Sequence, residues 1–411
     1  MASLFIVLQI IILDVITLRG VRKIFPRFSA RHRKYIRNAI IILATVSVLI
    51  ILVGHIFQRR IFDYRLFAFY YYLFGLVATI YIPKFLFTLF LFADWMISAI
   101  RIRPVKVHHS RHIVAKGGFW VSLGSVCFIV WGILFGRFNF SVEHVDVTID
   151  NLPPSFHGYK IVQISDVHAG SFAGHTYRFQ KAVDLINRQE PNLIVFTGDM
   201  VNNFADEATS LIPLFSQLDA CDGKFAVLGN HDYGGYHDWK TPSDSAANHK
   251  ALENAIEQMG FVLLNNQSAV IDLSDHTILP SSDRIALIGI ENWGIQKRYP
   301  KRSDPDQAME PVRDIPFKIL LSHNPAFWPE YVVGKTDIAL TLSGHTHGMQ
   351  MGVRLGKKYY GPAIFFRRSY RYWAGLYRTG NQYLYVNRGL GVIGFPGRIG
   401  MSPEITVITL R

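Results

Sequence analysis

Cysteine is scarce in this 411-residue chain. Cys127 lies inside an apolar run and Cys221 in a polar turn, so no disulfide framework is implied and thiol content says nothing of redox compartment. Acids are almost missing from the first third: residues 1–137 carry 18 Lys and Arg against 3 Asp and Glu, whereas residues 138–411 carry 25 against 27. That split weakens the nucleic-acid reading that a net charge of +13 invites, because such a footprint is a basic patch on the folded domain itself. Here the surplus cations sit between apolar runs, where they read as membrane topology. Internal repeats and low-complexity tracts are also lacking, which excludes solenoid and fibrous architectures.

What is present begins with four apolar stretches, at about 4–18, 39–57, 66–100 and 117–135. A bilayer is crossed by about 20 apolar residues in a helix. The first stretch is short and carries Asp14, but it has no basic leader and no small-residue cleavage site, so a retained helix is expected rather than a removed signal. The third would be about 52 Å long as a helix at 1.5 Å per residue. It is interrupted by Pro83-Lys84. A turn there would leave backbone groups unpaired in lipid, so one long kinked helix is expected. Residues 1–139 thus form an α-helical transmembrane region of about four helices, and residues 140–411 a separate domain.

Arg and Lys crowd the loops after the first and third stretches, and the positive-inside rule puts those loops in the cytoplasm. Four spans then place the C-terminal domain on the periplasmic or extracellular face of the cell (inner) membrane. Asp14 and Asp94 fall near expected helix ends, where an interfacial role competes with a functional one.

Beyond residue 140, short apolar runs alternate with helical patterns. Residues 159–165, 193–197, 224–228, 284–290, 318–322 and 338–343 read as strands; 177–188, 207–218 and 246–259 read as helices. Such alternation predicts an α/β sandwich. Polar clusters follow the strands: Asp166-Val167-His168, Gly198-Asp199, Gly229-Asn230-His231-Asp232, Ser322-His323, and Gly344-His345-Thr346-His347. Ligands gather at the carboxyl ends of strands in open α/β sheets, so the five clusters should converge. Imidazole, carboxylate and amide oxygen form a mixed N/O set suited to Mn, Fe, Zn, Co, Ni or Mg. Two such ions can clamp a phosphoryl group and acidify water.

These five ordered motifs resemble the calcineurin-like metallophosphoesterase superfamily across about residues 140–411, and the apolar N-terminus resembles its membrane-anchored bacterial branch. The resemblance implies an α/β/β/α sandwich with two packed mixed sheets. It implies two divalent metal ions, one held by Asp166, His168 and His347, the other by Asn230, His323 and His345, with Asp199 bridging. It further implies that His231 contacts the phosphate and protonates the leaving oxygen, that Asp232 orients the His231 ring, and that a metal-bridging hydroxide attacks phosphorus. The expected substrate is a phosphate ester, phosphodiester or pyrophosphate, small or lipid-borne, of an amphiphilic envelope molecule. A non-hydrolytic receptor or scaffold that binds a phosphorylated partner is the alternative. Four helices with few intramembrane charges and no inverted repeat speak against a transporter.

Other signals are weaker. Gly389-Leu390-Gly391-Val392-Ile393-Gly394 matches a dinucleotide fingerprint literally, but Pro396 and Gly397 follow at once and no helix can open there. It reads as a loop beside the site, with Arg388 and Arg398 as candidate phosphate binders. His108, His109, His112, His175, His237 and His249 lack ligand spacing and read as surface residues. The stretch Arg354–Trp373 holds six cations and no acid, interleaved with seven aromatics, a mixture suited to lipid headgroups. Oligomeric state leaves no trace in the sequence.

Overall fold

The computed structural model describes residues 2–57, 59–61, 63–100, 112–273, 283–294, 302–356, 358–366 and 370–411. His108 and His109 lie outside these, as do Lys357, Arg367 and Arg368 of the basic aromatic stretch. The chain divides into two compact units: Met1–Arg59 with Phe69–Leu134 and Gly394–Gly397, and Arg60–Ala68 with Phe135–Ile393 and Arg398–Arg411.

The first unit is helical, with α1 (Ala2–Ile24), α2 (Ala30–Phe57), α3 (Tyr64–Ile100) and α4 (Ile113–Leu134). Among the described residues α2, α3 and α4 are long and apolar enough to cross a membrane. α3 is continuous through Pro83, as one long helix requires. α1 has the length but carries Asp14, Arg19, Arg22 and Lys23. Asp14 is not near a helix end: it sits mid-helix, buried, with one carboxylate oxygen 2.5 Å from Lys84 Nζ and the other accepting from Tyr81 Oη at 3.0 Å. Asp94 is buried too, 3.3 Å from Lys23 Nζ and 2.8 Å from His112 Nδ1. Both are paired, as a carboxylate buried in an apolar bundle must be, and Asp94 does lie within two turns of the end of α3. The pairs 14–84 and 23–94 also fix α1 and α3 as parallel.

Among the described residues the second unit is a sandwich of two six-stranded mixed sheets with one two-stranded hairpin beside them. In the first sheet the order is β1 (Ser141–Val147), β14 (Glu404–Leu410), β2 (Lys160–Ile164), β3 (Leu193–Phe196), β4 (Lys224–Ala226), β5 (Val262–Leu263); in the second it is β12 (Gly375–Thr379), β13 (Gln382–Val386), β9 (Ile338–Ser343), β8 (Lys318–Leu321), β7 (Arg284–Gly289), β6 (Gln267–Asp272). A core that includes Ile161, Val195 and Ile408 from one sheet and Leu287, Ile319 and Leu342 from the other fills the space between them. The opposite face of the first sheet packs Val162, Ile194 and Phe196 against α5 (Gln180–Asn187), α6 (Ile212–Phe215) and α7 (Pro242–Gln258). That of the second packs Ile288, Leu320 and Leu384 around α8 (Pro305–Met309), Phe327 and Trp328.

The six expected strands lie where the apolar runs put them. The expected helix at 207–218 breaks instead into 3₁₀ turns and the four-residue α6, whose first turn holds Pro213. The apolar runs do not predict β1, β5, β6, β12, β13 or β14, nor the short strands Val353–Leu355 and Lys358–Tyr360. β14, the last strand, inserts between β1 and β2, a pairing across the whole domain that no local pattern announces.

Candidate metal centre

β2, β3 and β4 run parallel in one sheet, and β8 and β9 in the other, so their carboxyl ends open on the same side of the sandwich. Backbone pairing continues beyond the strands. The amide of Asp166 donates to Gly198 O at 2.8 Å, that of Val167 to Asp199 O at 2.8 Å, and that of Gly344 to His323 O at 3.0 Å. The polar clusters are therefore held against one another by main chain before any side chain acts.

Two groups of ligand atoms form there. Asp166, His168, Asp199 and His347 make the first; Asp199, His323 and His345 make the second, with Asp199 common to both. His168 Nε2 lies 3.1 Å from His347 Nε2 and 3.5 Å from Asp199 Oδ2, and His347 Nε2 lies 3.3 Å from Asp166 Oδ1. In the second group His323 Nε2 is 3.2 Å from Asp199 Oδ2, 3.2 Å from His345 Nδ1 and 3.1 Å from Asn230 Oδ1. Lone-pair atoms of imidazole, carboxylate and amide thus face one another at hydrogen-bond distance, too many for the protons available. Divalent cations fit that donor set. The seven residues expected to share this centre are brought together at it.

The backbone pays a strain for the convergence. Asp166, His168, Asp199, His345 and His347 all have φ between +46° and +73°, the left-handed region that costs a side-chain-bearing residue of order 1–2 kcal/mol. Around them, Gly198 at φ +94° and Gly229 have no room for a side chain: a Cβ on Gly229 would lie 2.6 Å from Asp199 N and 2.1 Å from its Oδ1.

Burial sets the protonation of the unmetallated site. It raises Asp166 to about 7, with the Asp199 charge adding to the rise and His323 opposing it. It holds His168 and His345 down at about 3. Burial also opposes charge on His323, but the adjacent Asp199 carboxylate outweighs it and lifts the imidazole to about 9.

The supporting hydrogen bonds define roles. His323 Nδ1 lies 2.7 Å from Thr197 O, which fixes the tautomer that leaves Nε2 free for the centre. Asn230 donates from its amide nitrogen to Tyr236 Oη at 2.8 Å, turning its oxygen toward His323. His231 is only partly buried, stacked on Tyr236 at 4.2 Å between ring centroids and edge-on to His168 at 4.9 Å. Its Nδ1 lies 2.9 Å from Asn202 O.

That contact corrects the role expected of Asp232. Its carboxylate does not orient the His231 ring; it accepts the backbone N–H groups of Asp199, Met200 and Gly229 at 2.8 Å and of Val201 at 3.2 Å, clamping the β3 and β4 loops together. Nor is either arginine available to phosphate. Arg388 is buried and ion-paired with Glu404 and, at 2.9 Å, with Glu143. Arg398 spends every N–H on backbone carbonyls, of Gly391, His347, Met401, Arg388 and Gly389. A guanidinium's five donors suit a loop junction as well as a phosphate. The glycine run at 389–394 is a loop, as expected, and its Leu390 and Gly391 amides back the Ser165 and Asp166 carbonyls. His237 is buried against Phe204 and Trp239 rather than exposed, and His249 stacks on Tyr233.

Sequence reasoning missed Asn202 and Glu207. Glu207 is buried and accepts the amides of Gly170, Asn202, Asn203 and Phe204, at 3.0, 2.6, 2.9 and 2.9 Å, so it shapes the loop that presents Asn202 O to His231. Both act through backbone groups, which leaves no residue-type signature.

The calcineurin-like phosphoesterase family model matches residues 159–349. The uncharacterized metallophosphoesterase YkuE of Bacillus subtilis is 35% identical over 277 residues, covering 66% of this chain and 86% of that protein. Phosphodiesterase YaeI of Escherichia coli is 28% identical, covering 64% and 84%. A transmembrane protein with metallophosphoesterase domain from Danio rerio is 27% identical, covering 72% of this chain and 64% of that one.

Proposed function

Because the chain belongs to the calcineurin-like phosphoesterase family of metallophosphoesterases, we propose that it hydrolyses a phosphate ester, phosphodiester or pyrophosphate at a centre for two divalent ions. What supports the two-ion reading is one observation: two groups of convergent ligand atoms share Asp199. In this reading Asp166, His168 and His347 hold one ion, Asn230, His323 and His345 the other, and Asp199 both. Bound there, the ions supply Lewis acidity, drawing charge from the phosphoryl oxygens and acidifying the attacking water.

The rest falls to side chains of the protein. Water's oxygen bonds to phosphorus and releases one proton to solvent, the bond to the leaving oxygen breaks, and that oxygen takes up a proton. His231 is placed to give it. With Nδ1 committed to Asn202 O, the exchangeable position is Nε2. Burial lowers its affinity for a proton in the free site, and a phosphate anion within reach supplies the opposite charge that restores it. Asp232 and Glu207 keep both loops in place and take no part in proton transfer.

The membrane-anchored topology is part of the same proposal. Since α1 runs parallel to α3, we read it as a fourth span beside the three apolar helices, and the Arg- and Lys-rich loops after α1 and α3 as cytoplasmic. The catalytic unit then lies on the periplasmic or extracellular side of the cell membrane.

The test uses the full-length protein in detergent, stripped with chelator and given bis-p-nitrophenyl phosphate with Mn²⁺, Zn²⁺ or Mg²⁺ restored. Hydrolysis returns with metal; Asp199→Ala loses bound metal and activity together; His231→Ala keeps its metal and loses roughly 10²–10⁴ in kcat. Stoichiometric metal without turnover of diesters, monoesters or lipid phosphates would favour a receptor or scaffold.

A further inference from the structure

Past His347 the chain leaves the centre through one turn and enters β10 (Val353–Leu355) and β11 (Lys358–Tyr360), an antiparallel hairpin, followed by a 3₁₀ turn at Pro362–Phe366. The hairpin has two unlike faces, because side chains alternate across a strand. On one face Arg354 pairs with Tyr359: Tyr359 is half-buried and packs on Trp373, while Arg354, still exposed, bonds Glu143. A small core of Ala363, Trp373, Ala374 and Met401 anchors the element, with Met349 and Tyr370 packed against it.

The other face is exposed and mostly apolar. Val353 pairs with Tyr360 and Leu355 with Lys358 there, and the turn that follows exposes Ile364, Phe365 and Phe366 as well. Leu355 is 64% exposed and Phe365 80%. A cluster of this kind, with no acid among its described residues, is a feature that water disfavours and that a partner covers. Lys358, within it, and Arg371 are both exposed.

We propose that this hairpin and turn form an interfacial docking surface for an anionic lipid bilayer, and that the centre acts on phosphoesters carried by membrane lipids. The bilayer is favoured over a protein by three facts together. The exposed residues are large apolar and aromatic side chains interleaved with cations, the composition that seats an element at headgroup depth. The same chain carries helices long and apolar enough to cross a membrane. The surface is also rooted at the centre: Thr346, between His345 and His347, donates its hydroxyl to Trp373 O at 2.7 Å. A docked hairpin therefore holds the ligand loop beside the headgroups. The substrate half rests on the phosphoesterase reading above; the docking half does not.

The two are separated by working with full-length protein in vesicles of phosphatidylethanolamine and phosphatidylglycerol. With Cys127 and Cys221 replaced by serine, spin labels are placed by Phe365→Cys, by Leu355→Cys and, as an aqueous control, by Lys181→Cys on exposed α5. The first two labels become accessible to oxygen and protected from a water-soluble nickel chelate, while the control does not. Labels at 355 and 365 open to the chelate would overturn docking; labels shielded from both reagents would point to a protein partner and overturn it equally. For the substrate half, the unsubstituted protein hydrolyses vesicle-borne phosphatidylglycerol or phosphatidic acid, and Leu355→Glu with Phe365→Glu lowers that rate about tenfold while bis-p-nitrophenyl phosphate turnover stays within roughly twofold. Cleavage of the soluble diester with neither lipid turned over would overturn lipid substrates and leave the phosphoesterase reading intact.

Discussion

Four backbone amides from two loops end on the Asp232 carboxylate. Replacing it by alanine strands them in a buried site, at a cost of about 2–4 kcal/mol. Asp232→Ala is expected to lower the thermal unfolding temperature of the full-length protein by several degrees and to reduce bound metal, as read by fluorescence-monitored melting and elemental analysis. A ring-orienting residue would instead lower kcat alone. Protonation of the ligand set makes a second prediction, for the chelated protein. His323 is raised from 6.5 to about 9 and Asp166 from 3.8 to about 7. A raised value favours the folded state at low pH, and that stability is lost as pH rises through the folded value. His168 and His345, lowered from 6.5 to about 3, act oppositely and remove stability as pH falls below 6.5. Melting temperature of the chelated protein should therefore fall as pH rises from about 6.5 to 9 and fall again on acidification. Metal binding near pH 7.5 should release protons, seen as a dependence of calorimetric heat on the buffer's ionisation enthalpy.

At the scale of elements, the strands supply position and the turns after them supply aim. The sequence shows why the turns are polar and glycine-rich, but not that five of the candidate ligands adopt left-handed backbone, since that follows from closure of two sheets against each other. Gly229 makes the point testable. A methyl group there meets the Asp199 backbone, which has nowhere to move while Asp232 holds its amide. Gly229→Ala is expected to fold, with circular dichroism unchanged, yet to hold less metal and to lose activity in proportion; full metal occupancy would show that the loop gives way. The strands themselves were legible because buried parallel strands are continuous apolar runs. β1 and β12 were not, because they are largely solvent-facing and rich in polar residues, and β14 was not, because its pairing with β1 and β2 spans the domain.

Over the whole molecule, the charge split separates a cationic, apolar N-terminal third from a near-neutral catalytic part. The ion pair between Asp14 and Lys84 ties α1 to α3. Removing one partner leaves a buried charge, a loss of about 3–5 kcal/mol, whereas replacing both by leucine is far milder. Asp14→Leu alone should lower the yield of folded protein recovered from membranes, with Asp14→Leu plus Lys84→Leu restoring most of it. Parallel α1 and α3 also carry the topology: a reporter fused after Arg411 is expected to be active outside the cytoplasm, and activity inside would remove α1 from the set of spans.

Sequence alone determined the class of chemistry and the candidate ligand residues, because metal ligation demands particular side chains in order after strands, and the helical region, because a bilayer demands apolar length. Tertiary structure decided what each other polar residue does. Arg388, Arg398 and Asp232 have the right chemistry to bind phosphate or tune a base, and folding commits them to Glu404, Glu143 and backbone groups instead. A residue type fixes what a side chain can bond; only packing fixes which partner reaches it first.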